Sequence, residues 1–81
     1  MDIKKDNNYQ EGYWSARSIA EHIEKTTYKD LDTAIGTKTE LIKNFEEQFG
    51  FARDMKDMDS NYSWNCGFLD YLIEQKNEKG S

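Results

Sequence analysis

The feature that most constrains the fold of this chain is the spacing of its apolar residues, which follows the period of a helix. No segment alternates apolar and polar residues with the period of two that a half-buried strand requires. The 81-residue sequence also contains no valine, one of the best strand formers, and no proline. The pattern predicts an all-α protein, folded as a compact bundle of three to four helices.

Length and composition predict one domain. A chain of 81 residues has room for one core, and chains of this size bury only about 60–65% of their unfolded surface. Hydrophobic residues make up 36% and charged residues 33%, which is polar for a globular protein, but 14% aromatic residues support a packed core. We predict a single domain over residues 1–81, with an ordered core of about 12–76 and frayed termini.

The first helix is predicted over about residues 15–26. Its apolar residues recur at helical spacing and form one stripe: Ala16, Ile19, Ala20 and Ile23. If Ser15 is the N-cap, Trp14 precedes the cap and packs against Ile19 as a hydrophobic staple. A helix that begins earlier would instead project Trp14 away from the stripe, as an exposed binding residue.

Two helices separated by a turn at Gly36 are predicted for the middle of the chain. A short helix covers about residues 29–35 and is closed by Gly36, because glycine adopts the left-handed conformation that ends many helices. Thr37 then opens a capping box, TKTE. The helix that follows covers about residues 38–57 and either continues through Gly50 or breaks there.

The last helix, predicted over about residues 61–76, carries two apolar stripes. The first is predicted to be core and contains Tyr62, Cys66, Leu69 and Ile73. The second contains Trp64, Phe68 and Tyr71. Together they span more than half of the helix circumference, whereas a surface helix needs a stripe only somewhat over about 100° wide. The helix therefore either lies centrally between others or offers its second stripe to a protein partner or a second copy of this chain.

The sequence gives no support for a catalytic, metal or cofactor site. One cysteine cannot form an internal disulfide, and one histidine cannot build a histidine metal site. Cys66 lies in an apolar stripe, where a thiol is ordinarily inert, and is far in sequence from His22. No phosphate-binding loop or dinucleotide glycine pattern is present. We predict a non-enzymatic protein without metal or cofactor.

The charge balance limits the classes of partner that the chain is expected to bind. Sixteen acidic and eleven basic residues give a net charge of −5, which repels nucleic acid and anionic membranes and favours a basic or mixed protein surface. No apolar run approaches the ~20 residues of a membrane span, and the N-terminus lacks the apolar region of a signal peptide. These observations, with the single cysteine, predict a cytoplasmic protein that is not bound to a membrane.

An acidic face is predicted along the helix of residues 38–57. Its carboxylates are Glu46, Glu47, Asp54 and Asp57. They would steer the chain toward a basic partner. Imitation of DNA phosphates is an alternative interpretation of this face, although Lys43, Arg53 and Lys56 interrupt the run of acids.

Residues 31–45, LDTAIGTKTELIKNF, resemble the helix-turn-helix of small phage and bacterial repressors. The apolar and turn positions of that motif are matched by Leu31, Ile35, Gly36, Ile42 and Phe45. The resemblance implies a dimeric DNA-binding regulator whose recognition helix follows the turn. The residues that would face the DNA are Thr37, Lys38, Thr39, Lys43 and Asn44.

The leading interpretation is a protein that binds another protein and inhibits or regulates it, with the DNA-binding regulator as the alternative. Tryptophan and tyrosine commonly anchor protein interfaces. The predicted partner contacts are Trp14, Trp64, Phe68 and Tyr71, with Glu46, Glu47, Asp54 and Asp57 from the acidic face. In size and composition the chain resembles phage and mobile-element proteins that bind and block a host enzyme or defence system.

Overall fold

The computed structural model describes residues 3–20, 31–53 and 59–80, and within these ranges all regular structure is helical. Within the described ranges, a 3-10 turn at Ile3–Lys5 precedes three helices: α1 (Asn7–Ala20), α2 (Leu31–Phe49) and α3 (Ser60–Gly80). The predicted all-α bundle is confirmed.

The N-terminal end of α1 is fixed by Asp6, which caps the helix. Asp6 Oδ2 accepts hydrogen bonds from the backbone amides of Asn8 (3.0 Å) and Tyr9 (3.3 Å), two of the four amides that a helix start leaves unpaired. The prediction of Ser15 as N-cap is wrong, because Ser15 lies inside α1. The predicted fraying of the N-terminal residues is wrong from Ile3 onward, since Ile3 and Tyr9 are buried in the core.

The helix α2 passes through Gly36 without interruption, so the predicted turn there is wrong. A glycine inside a helix costs roughly 1 kcal/mol relative to alanine. Packing of the neighbouring Leu31, Ala34 and Ile35 in a cluster with α3 offsets that cost. Tertiary packing has therefore overridden the local turn signal.

The C-terminal end of α2 lies at Gly50. This glycine has a φ of 69°, in the left-handed region, and its N–H donates to the carbonyl oxygen of Glu46 at 3.0 Å. Of the two predictions for Gly50, the break is confirmed. Residues 51–53 are not helical. The remainder of the predicted helix to residue 57 lies outside the described residues, as does the predicted end of the first helix, residues 21–26.

The helix α3 begins directly after Asp59, whose Oδ1 accepts a hydrogen bond from the amide of Tyr62 at 3.0 Å. Its predicted start is confirmed to within one residue. The predicted fraying from residue 77 is wrong, because the helix continues to Gly80. α3 packs against both α1 and α2, which confirms its predicted central position.

The helices α1 and α3 run parallel, whereas α2 runs antiparallel to both. Three hydrogen bonds join the start of the chain and α1 to α3 in rising order along both segments: Ser63 to Asp6, Tyr9 to Asp70, and Tyr13 to Glu74. The polar contacts between α2 and α3 run in the opposite order: Asp32 early in α2 pairs with Lys76 late in α3, and Glu46 late in α2 accepts a hydrogen bond from Tyr62 early in α3.

The helices α1 and α3 meet backbone to backbone through two glycines. A Cβ atom at Gly12 would lie 1.8 Å from the carbonyl oxygen of Trp64, and a Cβ atom at Gly67 would lie 2.0 Å from that of Tyr9. Only hydrogen fits at such distances, so glycine is required at both positions. The positions one helical turn away also carry small, fully buried residues: Ala16 and Ser63.

The two predicted stripes of α3 pack in two core clusters. One contains Ile3, Tyr9, Ile42, Tyr62, Cys66 and Leu69, and the other contains Ala16, Ala34, Phe68 and Leu72. Phe68, predicted to contact a partner, is only 2% exposed. That prediction is wrong because α1 and α2 both cover its ring. Ile73, predicted to be core, is 39% exposed, since within the described residues the cluster along its stripe ends at Leu69.

Candidate protein-binding surface

The side chain of Trp14 is 55% exposed on α1. Because the helix begins well before this residue, Trp14 lies within it, on the side away from the buried Tyr9 and Ala16. The predicted staple between Trp14 and Ile19 is therefore wrong. The alternative, in which an earlier helix start exposes Trp14, is confirmed.

Trp14 stands between two surface grooves. The first has a volume of about 620 Å³ and is lined by Asn7, Gln10, Glu11, Trp14, Ser15 and Trp64. The second has a volume of about 440 Å³ and is lined by Lys4, Tyr9, Gln10, Tyr13, Trp14 and Glu74. The residues that line these two grooves are called the Trp14 surface below. The indole borders both grooves, so a ligand in either one contacts it.

Tyr13 and Arg17 orient the indole of Trp14. The Tyr13 ring meets it edge-on with 5.8 Å between centroids, and the Arg17 guanidinium lies 5.1 Å from the indole centroid. Tyr13 is in turn held by a 2.6 Å hydrogen bond to Glu74 and by an edge-on contact with the half-buried Tyr71 at 5.1 Å. An indole that is already oriented loses less conformational entropy when a partner binds.

Trp64 is half-buried and lines the first groove together with Trp14. Its ring stacks on Phe68 with 5.3 Å between centroids. The Lys38 ammonium lies 5.3 Å from the Trp64 ring and 4.6 Å from the Phe68 ring, and it donates to Asn65 Oδ1 at 2.9 Å. Desolvation lowers the pKa of Lys38. Lys38, predicted to face DNA in the alternative, is therefore engaged inside the protein against α3.

The other residues of the helix-turn-helix prediction lie exposed on one uninterrupted helix: Thr37, Thr39, Lys43 and Asn44. A recognition helix presents its base-contacting residues after a turn. α2 has no turn at Gly36 and directs Lys38 toward α3. The helix-turn-helix geometry is therefore wrong for residues 31–45.

The predicted acidic face is described in part. Glu46 and Glu47 are exposed in the last turn of α2, and Glu46 accepts a hydrogen bond from the Tyr62 hydroxyl at 2.9 Å. Burial, and then this hydrogen bond, raise the pKa of Tyr62. Asp54 and Asp57 lie outside the described residues, as does His22.

A polar network behind the second groove was not foreseen from the sequence. The hydroxyl of Tyr9 donates to Asp70 at 2.6 Å, and Arg53 donates two 2.9 Å hydrogen bonds to the same carboxylate. Burial and the bond to Asp70 raise the pKa of Tyr9, while the bond to Glu74 raises the pKa of Tyr13 to about 12. The available signal was spacing: two tyrosines four residues apart on α1 match two carboxylates four residues apart on α3.

The described parts of the chain lack both a cluster of possible metal ligands and a helix that could span a membrane. No cluster of three or more His, Cys, Asp or Glu side chains there could hold a metal ion. None of the described helices combines the length and apolar character needed to cross a membrane. Cys66 is fully buried, and burial raises the pKa of its thiol, which disfavours the reactive thiolate.

Comparison with known proteins gives no family assignment. No protein-family model, curated protein or solved structure matches the chain. The geometry of the Trp14 surface therefore carries the functional interpretation.

Proposed function

We propose that this chain is a non-enzymatic protein-binding domain that recognises a partner protein through the Trp14 surface and inhibits or regulates that partner. The observation that carries the proposal is the 55% exposure of Trp14 between two grooves, with its ring already oriented by Tyr13 and Arg17. Tryptophan is among the residues that contribute most of the binding energy at protein interfaces, typically near the interface centre.

The charges around Trp14 favour a partner with a basic or mixed surface. Glu11 lines the first groove and Glu74 the second, while Lys4 and Arg17 lie on the same side of the molecule as the indole. The net charge of −5 adds a long-range attraction to basic proteins, which speeds their association. A fitting partner therefore places an apolar side chain against the indole and polar or basic groups near the two carboxylates.

The biological setting that we propose is cytoplasmic inhibition of a host enzyme or defence system by a protein of a phage or mobile element. The support for this setting is the small size and the acidic composition. Trp14 can bind a partner whether or not the chain comes from a phage or mobile element, so the two proposals are independent.

The proposal is tested by affinity capture from a lysate of host cells, with the wild-type chain and Trp14→Ala as baits. We expect Trp14→Ala to capture at least tenfold less of the bound protein, because a tenfold loss corresponds to about 1.4 kcal/mol, well within the contribution of one interfacial tryptophan. Ile73→Ala is the matched control, since Ile73 is 39% exposed and lines neither groove. Equal capture by wild-type and Trp14→Ala baits, both folded by circular dichroism, would contradict the proposal.

A further inference from the structure

A second exposed apolar surface lies at the C-terminal end of α2, on residues that do not belong to the Trp14 surface. Phe49 is 61% exposed and Leu41 is 37% exposed. A groove of about 230 Å³ is lined by Leu41, Asn44, Phe45, Gln48 and Phe49. These five residues are called the Phe49 surface below.

The ring of Phe49 is held on one side and open on the other. It stacks on Phe51 with 5.4 Å between centroids and lies 6.1 Å from Phe45. Phe45 and Phe51 both contact the ring of Tyr62, which is fully buried in the core. The turn at Gly50 returns the chain so that Phe51 reaches this stack. Phe49 is thus packed against two aromatic rings, and its 61% exposure is not a consequence of an unpacked helix end.

The charge at this end of α2 is negative. Glu46 and Glu47 are exposed in the last turn, which contains no basic residue, and the terminal carbonyl groups add the negative end of the helix dipole. Among the described residues, the neighbouring cations are Lys43, which lies one turn earlier, and Arg53, whose charge is matched by its bidentate pair with Asp70. In this part of the described structure, apolar rings and exposed carboxylates therefore lie side by side.

We propose that the Phe49 surface binds a basic amphipathic segment of a partner protein. One apolar side chain of that segment fills the groove, and its lysine or arginine side chains contact Glu46, Glu47 and the C-terminal carbonyl groups of α2. A second copy of this chain is disfavoured, because a two-fold contact brings the same carboxylates of both copies together at a net charge of −5 each. This inference does not depend on the Trp14 surface.

The test is an NMR titration of the ¹⁵N-labelled chain with the synthetic peptide acetyl-LKKLLKKL-amide. The side-chain amides of Asn44 and Gln48 line the groove and serve as reporters. We expect saturable shifts of these resonances with this peptide and none with its glutamate analogue, acetyl-LEELLEEL-amide. Equal binding of the two peptides, or no binding of the lysine peptide, would overturn the inference.

Variants assign the binding to the proposed residues. Phe49→Ala is expected to raise the dissociation constant of the peptide at least tenfold. Glu47→Gln is expected to raise it two- to threefold at low salt. The effect of Glu47→Gln should disappear at about 0.5 M salt, because salt screens the charge. Ile73→Ala is the matched control and should bind the peptide like the wild type, since Ile73 is 39% exposed and does not line this groove. The inference fails if Phe49→Ala binds normally, if Trp14→Ala abolishes binding, or if the reporter resonances shift on dilution without peptide, which would reveal self-association.

The two surfaces are tested separately by this design. If Trp14→Ala loses its captured protein while Phe49→Ala binds the peptide normally, the proposed function stands and the present inference fails. If Trp14→Ala captures its protein normally while Phe49→Ala loses the peptide, the inference about the Phe49 surface stands and the proposed function fails.

Discussion

The helices α1 and α2 pack on the same central helix by different means. α1 meets α3 backbone to backbone at Gly12 and Gly67, and hydroxyl–carboxylate hydrogen bonds lie beside that contact. α2 meets α3 through larger side chains, which include Ile42 in one core cluster and Lys38 over two aromatic rings. The first contact has no spare volume, whereas the second can adjust because side chains can change rotamer.

The difference shows that glycine has opposite effects in two helices of one chain. In α2, Gly36 has open space where a Cβ would lie, so it only weakens the helix. In α1 and α3, Gly12 and Gly67 each weaken their own helix by a similar amount but allow the two backbones to meet. Four tests probe the two contacts and the glycines, from the largest expected effect to the smallest.

Gly12→Ala and Gly67→Ala are expected to have the largest effect. Each places a methyl group within about 2 Å of a backbone carbonyl oxygen of the facing segment, so the two helices must separate. We expect a loss of about 3 kcal/mol or more in the free energy of unfolding, a large part of the stability of a small domain. Urea unfolding followed by circular dichroism measures it. Midpoints equal to that of the wild type would refute the backbone contact.

Ile42→Ala and Ile42→Val test the α2–α3 contact. Ile42 is 5% exposed, so truncation to alanine should cost about 2–4 kcal/mol and truncation to valine about 1 kcal/mol. A loss that increases with the volume removed is typical of side-chain packing. Two outcomes would contradict the difference between the two contacts. One is that Ile42→Val lowers the free energy of unfolding as much as Ile42→Ala does. The other is that Gly12→Ala lowers it less than Ile42→Val does in the same urea experiment.

Alkaline pH is expected to weaken the contact of α1 more than that of α2. Tyr13, with its pKa raised from 10 to about 12, contributes stability that is complete below pH 10 and is lost as the pH rises toward 12, because the unfolded tyrosine ionises first. The raised pKa values of Tyr9 and Tyr62 act in the same direction.

Urea unfolding at pH values from about 8 to 11 checks this expectation. The double variant Tyr9→Phe/Tyr13→Phe should reduce the loss of stability above pH 10 more than Tyr62→Phe does, since two of these three tyrosines lie on α1. Identical pH dependences for the wild type and the double variant would show that the hydroxyl–carboxylate bonds do not form in solution.

Gly36→Ala is expected to have the smallest effect and the opposite sign. Alanine meets no atom within 4 Å at this position of α2 and favours the helix by about 0.5–1 kcal/mol. The same substitution would destabilise a left-handed turn. A lower urea midpoint for Gly36→Ala would therefore restore the predicted turn and with it the helix-turn-helix geometry.

The parts of the fold that local pattern controls could be predicted from the sequence. The helical period predicted the all-α class, the arc of α3 had two packed sides as one of its two interpretations, and Gly50 followed the rule for helix ends. At Gly36 the same rule failed, because Leu31 and Ala34 gain more by packing against α3 than the glycine costs. Asp6 was missed as a cap because only Ile3 and Tyr9 mark that polar segment as part of the core.

The candidate site depended on long-range pairing, which one sequence does not reveal. Trp14 was identified, but its exposure depended on where α1 begins. Trp64 and Phe68 share one predicted stripe, yet Phe68 is buried whereas Trp64 is only half-buried. Small residues recur at helical spacing on α1 (Gly12 and Ala16) and on α3 (Ser63 and Gly67). Nothing in the sequence indicates that these two pairs of residues face each other.

The contact between α1 and α3 also sets the time at which the Trp14 surface can form. Gly80, the last residue of α3, follows Ala20 by 60 residues, so the α1–α3 contact is not complete until roughly 3–12 s after α1 has been synthesised, at translation rates of about 5–20 residues per second. A 14-residue helix with an internal glycine is marginal on its own in water. Tyr13 cannot orient Trp14 until Glu74 and Tyr71 are in place. The proposed recognition surface therefore requires α3, and a nascent chain that lacks α3 does not yet present an oriented Trp14.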